Sequence, residues 1–184
     1  MNFVLPFKEG DRVIELGGGP HPLIRPNLDV APGPNVDIVA DFSRSLPISS
    51  ASFDGILCKF VLEHISWKKV KLFLAECHRI LAPGGTVVFI TANLLEQCRA
   101  LVEAPEWNED LICMLFGGQD VEPGKDWYST WYPEAHHCGF SPRYAEKLLR
   151  EAGFCNVAVS EWPGAKTDMI IVALKSRAEV RYSL

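Results

Sequence analysis

The sequence lacks the closely spaced cysteine pairs that zinc-binding and redox motifs use. Its six cysteines are scattered, and the closest two in sequence are Cys98 and Cys113, which excludes a CxxC motif. The 184 residues also lack a basic excess, because their formal net charge is −5. A nucleic-acid-binding surface of lysines and arginines is therefore not expected.

Long apolar runs and targeting signals are missing as well. No stretch of about 18 apolar residues occurs, so we expect no membrane-spanning helix. The first residues, MNFVLPFKEGDR, do not combine a basic start with a long apolar run, so we expect no signal peptide. Scattered cysteines without these signals predict a reduced, cytoplasmic protein. The length and the absence of repeats predict a single domain over residues 1–184.

The sequence does contain short apolar segments that alternate with amphipathic ones. The predicted strands are Arg12–Leu16, Asn27–Val30, Val36–Asp41, Ser52–Phe60, Thr86–Thr91, Asn156–Trp162 and Asp168–Lys175. The predicted helices are Ser66–Leu81 with Ser66 as its cap, one from Asn93 to Glu103, and one that Ser141-Pro142 opens and Gly153 ends.

This alternation predicts an α/β fold with a Rossmann-like, mainly parallel, seven-stranded sheet and helices on both faces. The last two strands are joined only by residues 163–167, which cannot hold a crossover helix. They are therefore predicted to pair as a C-terminal antiparallel hairpin.

Three strand ends carry residues suited to a ligand. Ligands bind beyond the carboxyl ends of the strands in such sheets, where the strand order reverses. The segment ELGGGP (15–20) offers a turn without side chains, which a ligand can approach closely. Asp29 could accept hydrogen bonds from both hydroxyls of a ribose, and Asp41 beside Phe42 suits the edge and face of an adenine.

These segments together resemble the class I S-adenosylmethionine-dependent methyltransferases of the type 11-like branch. The matching motifs occur in the expected order, as ELGGG (15–19), LDV (28–30), ADF (40–42), LPISSASFDGILCKFVLEHI (46–65), RILAPGGTVVFIT (79–91) and FSPRYAEKLLREAGF (140–154). Each motif alone is weak, but their order and spacing are specific. The resemblance covers most of the chain and implies that it uses S-adenosyl-L-methionine to methylate a small or medium acceptor.

The resemblance also implies which residues bind the cofactor. From the methionine end to the ribose, the adenine and the methyl-transfer mouth, they are Glu15, Gly17, Gly18, Gly19, Asp29, Val30, Asp41, Phe42, Lys59 and Phe60. Two departures stand out. His21 replaces the usual third glycine, and a stretch with three prolines replaces the helix that normally lies between Gly19 and Asp29. A short-loop bacterial branch of the family has a similar form.

Histidines and aromatic residues are the candidates for the acceptor end. His64 and His136 could act as a general base, although either could instead make a structural hydrogen bond. Trp131, Tyr132 and His137 could bind the substrate, within a lid-like insertion at about 104–139 whose aromatic residues could equally be its own core. Cys138 beside the two histidines makes a metal site conceivable, but no second ligand pair has the right spacing, so none is predicted.

Other functions are compatible with parts of this pattern. A cofactor-binding protein without catalytic activity would share the motifs. A dinucleotide-dependent oxidoreductase fits less well, because GxGxxG requires glycine at position 22, which is Pro22. The expected partner is a small-molecule acceptor, with neither nucleic acid nor membrane, and a homodimer or a protein partner stays open.

Overall fold

The computed structural model describes residues 4–104, 106, 109–118 and 134–177. Its strands are β1 (Val13–Leu16), β2 (Asn27–Asp29), β3 (Ile38–Val39), β4 (Phe53–Lys59), β5 (Leu81–Ala92), β6 (Phe154–Trp162) and β7 (Ala165–Lys175). Its helices are α1 (Val70–Ile80), α2 (Leu94–Glu103), α3 (Glu109–Phe116) and α4 (Pro142–Glu151), and a 3₁₀ turn spans Leu62–His64.

The strands form one seven-stranded sheet in the order β3-β2-β1-β4-β5-β7-β6. The first five strands are parallel, whereas β7 pairs antiparallel with both β5 and β6. The chain moves outward from β1 to β3 and then returns to β4 on the other side of β1. The carboxyl ends of β1 and β4 therefore flank the switch point of the sheet. The predicted fold class and the C-terminal hairpin are confirmed.

Alternation along the central strands creates two apolar clusters, one on each face of the sheet. In β5, Val87 and Phe89 belong to the larger cluster, whereas Val88 and Ile90 belong to the smaller one. Helices α1 and α4 cover the larger cluster, where the Phe73 ring meets Phe89 edge-on at a centroid distance of 6.5 Å. The strand tips that border the site are thus fixed by a packed core.

The structure corrects several predicted boundaries. Helix α1 begins at Val70 instead of Ser66, and its N-cap, Lys69, makes no side-chain capping hydrogen bond. The Ser66 carbonyl instead accepts the amides of Lys69 and Val70 in a turn that precedes the helix. Strand β5 begins at Leu81, before the Pro-Gly-Gly segment that was predicted to precede it. Helix α3 lies within the insertion predicted at about 104–139, for which no helix was predicted.

The described helices are short. The longest, α1, has 11 residues, whereas a bilayer crossing takes about 20. Within the described ranges, no helix is both long and apolar enough to cross a membrane.

Candidate active site

A cavity of about 550 Å³ lies at the carboxyl ends of β1, β2 and β4. Small-molecule sites typically have volumes of roughly 300–1,000 Å³, so the cavity can hold a ligand of nucleoside size or larger. Its walls come from the glycine turn, the segments after β2 and β3, and the segment after β4. The lining residues are Gly17–Pro20, Asp29–Pro34, Val36, Asp41–Ser43, Phe60, Val61, His64–Ser66 and Glu134.

The glycine turn after β1 forms a wall that has no side chains. Gly17 has φ +81°, and a Cβ at this position would overlap the Val61 side chain. A Cβ at Gly18 would lie 2.7 Å from Asn27 Oδ1. Glycine is therefore required at both positions, by backbone conformation at the first and by close packing at both.

The Asn27 side chain holds this turn in place through hydrogen bonds, a role that the sequence analysis did not assign. Its side chain is completely buried, and its Oδ1 accepts the Gly18 amide at 3.0 Å. Its Nδ2 donates to the carbonyls of Gly19 and Asn35, each at 3.0 Å. A buried amide with these three hydrogen bonds fixes the turn against the loop after β2. The signal in the sequence was a polar residue at the start of a buried strand.

Asp29 lies at the end of β2 and lines the cavity, as predicted. Its two carboxylate oxygens accept the amides of Gly19 at 2.9 Å and Ala31 at 3.0 Å. A carboxylate oxygen has two acceptor positions, so each oxygen keeps one for a ligand. Val30 beside it is partly exposed and also lines the cavity.

Glu15 has a different position from the one predicted, because it is buried and does not line the cavity. Its Oε2 accepts the amides of Leu23 at 2.6 Å and Ile24 at 2.8 Å. Burial raises the pKa of this carboxyl, and these two hydrogen bonds oppose the rise. Glu15 thereby fixes the proline-rich loop at Leu23 and Ile24, beside the glycine turn. His21, which replaces the third glycine, is exposed and leaves the cavity open.

Asp41 and Phe42 both line the cavity, beyond the end of β3. Phe42 is mostly buried and packs edge-on against Phe73 at 5.3 Å between ring centroids. Asp41 is exposed and accepts the Ser43 amide at 2.8 Å. The predicted pair of an apolar ring and a polar edge is therefore present at this wall.

Lys59 and Phe60 were predicted to act together but differ in the structure. Phe60 lines the cavity with φ +53°, an unusual conformation for a residue with a side chain. Lys59 is the last residue of β4 and is not part of the cavity wall. Its Nζ lies 5.4 Å from the centroid of the Phe60 ring. The left-handed conformation of Phe60 ends the strand alternation at this position, and of the two residues only Phe60 lines the cavity.

A cluster of three polar side chains, Glu63, His64 and His136, borders the far end of the cavity. One potential ligand atom from each lies within 4.8 Å of the other two, and the two imidazole centroids are 4.9 Å apart. His64 lines the cavity, whereas His136 lies behind it. The structure thus brings together the two predicted bases, and it adds Glu63, which sequence reasoning did not single out.

The hydrogen bonds of the cluster fix its orientation. The Nδ1 of His64 lies 3.2 Å from the Ala135 carbonyl, and the Nδ1 of His136 lies 3.2 Å from the Leu115 carbonyl. Because a carbonyl oxygen only accepts, we assign the proton of each ring to Nδ1, which leaves Nε2 as an acceptor. Thr91 donates its hydroxyl to Glu63 Oε2 at 2.7 Å.

The environment of the cluster favours neutral imidazole at His136. Burial lowers the pKa of His136, and the neighbouring His64 lowers it further. Asp168 lies near the start of β7, and its carboxyl is affected by the same cluster. Burial raises the pKa of its carboxyl, and the charge of Glu63 adds to the rise.

The remaining predicted substrate residues have separate positions. His137 lines a second, smaller cavity of about 260 Å³ with Trp67 and Phe140, and its amide donates to the Glu63 carbonyl at 2.7 Å. Trp131 and Tyr132 lie outside the described residues, so their predicted role stays a prediction.

Comparison with known proteins assigns the chain to a family. The model of a family described as "Methyltransferase domain" matches residues 1–159. The chain belongs to this methyltransferase family. The predicted recognition as a class I S-adenosylmethionine-dependent methyltransferase, and with it the cofactor, is confirmed.

A curated relative supports the family over a short segment. A protein of Mycolicibacterium smegmatis named "Probable S-adenosylmethionine-dependent methyltransferase" is 38% identical over 60 residues. These residues make up 33% of this chain and 23% of the relative. The matched segment therefore spans less than a quarter of that relative's length.

Solved structures of methyltransferases share the fold at low identity. A SAM-dependent methyltransferase from Thermotoga maritima has a TM-score of 0.60 at 18% identity, over 94% of this chain and 84% of its own. One from Mesorhizobium loti has a TM-score of 0.58 at 19% identity, over 90% of this chain and 91% of its own. Phosphoethanolamine N-methyltransferase 2 of Haemonchus contortus, solved with S-adenosyl-L-methionine, has a TM-score of 0.60 at 12% identity, over 93% of this chain and 50% of its own.

Proposed function

We propose that this methyltransferase binds S-adenosyl-L-methionine in the cavity at the switch point and methylates a small or medium acceptor. One observation supports the proposal above all others. A turn without side chains and a carboxylate with free acceptor positions, Asp29, face the same cavity of suitable size. The acceptor would be a small molecule, and the predicted homodimer or protein partner stays a prediction.

The proposed cofactor-binding roles follow from the walls of the cavity. Gly17–Gly19 would contact the methionine part, because a turn without side chains lets the protein backbone approach a ligand closely. Asp29 would accept the two ribose hydroxyls, one on each oxygen, in charge-assisted hydrogen bonds. Phe42 would pack against the adenine face while Asp41 accepts from its edge. Glu15 would act indirectly, by holding the loop beside the turn.

The acceptor would enter from the end of the cavity where Phe60 and His64 lie. When bound, the cofactor supplies an electrophilic methyl group. The chain has to hold an acceptor in line with that group and exclude water, and positioning of this kind can supply up to about 7–11 kcal/mol. His64, with Nε2 free as an acceptor, is placed to take a proton from an acceptor that must lose one. His136, whose ring centroid lies 4.9 Å from that of His64, would help to hold the His64 ring in place.

The segment at about 104–139 would form a lid over this end. Its described part supports this role, because Glu134 lines the cavity and the Ala135 carbonyl binds His64. A lid of this kind would limit access of water and select the acceptor.

Calorimetry with S-adenosylmethionine and S-adenosylhomocysteine, followed by a radiolabelled-methyl assay over a panel of acceptors, tests the proposal. We expect both cofactor forms to bind at one site per chain and at least one acceptor class to gain label. Absence of binding to either form would contradict the proposal. Binding of both forms without label on any acceptor would favour the non-catalytic alternative, and protection against thermal unfolding by NAD alone would favour an oxidoreductase.

A further inference from the structure

The partly buried cluster at the acceptor end of the cavity has the composition of a metal-binding site. Glu63, His64 and His136 contribute one carboxylate and two imidazoles, with one potential ligand atom from each within 4.8 Å of the others. Two histidines and one carboxylate with an open position are a donor set that divalent zinc and related transition metals use in catalytic sites.

The hydrogen bonds of the two histidines match what metal coordination requires. A metal-bound histidine usually donates its other ring N–H to a carbonyl or carboxylate, which fixes the ring and the tautomer. Here each Nδ1 already lies 3.2 Å from a main-chain carbonyl, Ala135 for His64 and Leu115 for His136. Both rings therefore keep their Nε2 lone pairs available for a cation.

The carboxylate of the cluster is oriented in a comparable way. Glu63 is only 2% exposed, and its Oε2 accepts the Thr91 hydroxyl at 2.7 Å. A hydrogen-bonded carboxylate of this kind is typical of a metal ligand that is held in place by its surroundings. Thr91 itself is completely buried in β5, so the rigid centre of the sheet positions the ligand.

The charges around the cluster also favour a cation. Buried carboxylates are normally paired with a positive group. Yet among the residues that the structure describes, no lysine or arginine forms an ion pair with Glu63 or with the nearby Asp168. Glu76, by contrast, has its own arginine, with Arg79 Nη2 at 2.7 Å from its Oε2. A divalent cation would supply the missing positive charge at the cluster.

We propose that Glu63, His64 and His136 form a binding site for one divalent transition-metal ion of the zinc type, at the acceptor end of the cavity. Ligand atoms about 2.0–2.1 Å from a tetrahedral metal lie about 3.4 Å apart, so the ligand atoms, now within 4.8 Å of one another, approach by up to about 1.4 Å when the ion binds. The fourth position then belongs to solvent or to an oxygen of the acceptor, whose proton such an ion makes more acidic. A His64 that binds the ion through Nε2 cannot also take a proton there, so with metal bound the ion replaces His64 as the group that promotes proton loss.

Binding of Co²⁺, a spectroscopic substitute for Zn²⁺, to the full-length chain tests this proposal. We expect metal-stripped protein to take up one Co²⁺ per chain with a visible ligand-field spectrum that Zn²⁺ abolishes. His64→Gln, His136→Gln and Glu63→Gln should each weaken the binding at least 100-fold. Thr91→Val, which removes only the hydrogen bond to Glu63, should weaken it roughly 10- to 100-fold. His21→Gln, at an exposed histidine outside the cluster, is the matched control and should bind as the wild type does.

A second measurement does not depend on the folding of these variants. In the wild-type protein, Co²⁺ should shift and broaden the ring signals of His64 and His136 most strongly in NMR spectra, and those of the exposed His21 little. No stoichiometric uptake, uptake that persists in both His64→Gln and His136→Gln, or sulfur-to-cobalt charge-transfer bands from cysteine ligation would overturn the proposal. Cofactor calorimetry on the same wild-type sample reports separately on the proposed function, because metal uptake requires no methyl transfer.

Discussion

The two ends of the cavity are built from different kinds of contact. At the end formed by β1 and β2, the polar side chains form hydrogen bonds with main-chain groups. Glu15 and Asp29 each accept two amides, whereas Asn27 accepts one amide and donates to two carbonyls. At the end beyond β4, the side chains of Glu63, His64 and His136 lie close together, and Glu63 has no lysine or arginine as an ion-pair partner among the described residues.

This difference suits the two ligands that the proposed reaction needs. The proposed cofactor is the same molecule in every turnover, and a turn that the side chains of Asn27 and Asp29 fix through its main-chain groups presents it with one preformed surface. The acceptor end gathers charge from segments far apart in the sequence. A few substitutions there would change what it binds without disturbing the glycine turn. The following variants test whether the two ends are as independent as this comparison suggests.

Gly17→Ala should have the largest effect, at the cofactor end. It places a Cβ at φ +81° and against the Val61 side chain, so strain and overpacking add to a loss of about 2–5 kcal/mol in the free energy of unfolding. Gly10→Ala is the matched control, since Gly10 has φ +88° and open space around its Cβ position, and only about 1–2 kcal/mol is expected. Equal losses in urea denaturation would mean that the contact with Val61 does not matter.

Glu15→Ala should have the next largest effect, because it leaves the amides of Leu23 and Ile24 without their acceptor. At about 1–3 kcal/mol for each orphaned donor, partly relieved by water, we expect a loss of about 2–4 kcal/mol in stability. Glu15→Gln keeps a carbonyl oxygen at the same place and should lose less than about 1 kcal/mol. The two variants are compared by urea denaturation at pH 7. Similar losses would show that the negative charge, not the acceptor atom, holds the loop.

Asp29→Ala tests cofactor binding directly. Removal of two charge-assisted hydrogen bonds to the ribose should weaken S-adenosylmethionine binding by about 1–3 kcal/mol, or roughly 5- to 150-fold. Asp54→Ala, whose side chain pairs with Arg12 outside the cavity, should bind the cofactor as the wild type does. Unchanged affinity of Asp29→Ala in calorimetry would mean that the ribose lies elsewhere.

The positions of the glycine turn and of Asp29 could be predicted from the sequence because their signals are local, whereas their role in binding the cofactor stays a prediction. The glycine triplet and Asp29 each lie directly at the end of a parallel strand, and such strand ends meet at one edge of the sheet. Glu15 shows the limit of this reasoning. The motif identifies the residue but not the direction of its side chain, which here binds the loop that replaced a helix.

The acceptor end could not be predicted in the same way. His136 lies far beyond His64 in the sequence, and only the folded chain brings their rings to 4.9 Å. No spacing rule for metal ligands covers such a separation, so the cluster was not foreseen. Lys59 was assigned from its motif position, but it is not among the residues that line the cavity.

Glu76 provides the smallest predicted effect and a reference for a carboxylate that does have its own cation. Hydrogen bonds from Arg79 lower the pKa of Glu76 to about 2, aided by the Leu46 amide and the Ser45 hydroxyl. Since the folded-state pKa lies below the ordinary value of 4.5, the ion pair stabilises the protein fully above that value. The stabilisation is lost as the pH falls from about 4.5 to about 2.

Because Arg79 is 30% exposed and solvent screens the pair, Glu76→Gln should cost about 1–2 kcal/mol at pH 7. The difference from the wild type should shrink steadily below pH 4.5 and vanish near pH 2, as followed by urea denaturation across this range. Glu151→Gln, which removes an exposed ion pair with Lys71, should show a smaller difference at every pH. A difference between wild type and Glu76→Gln that is the same at pH 7 and pH 2 would mean that packing, not charge, keeps Glu76 in place. Glu76 could then no longer serve as the reference for a carboxylate stabilised by its own cation, against which Glu63 is compared.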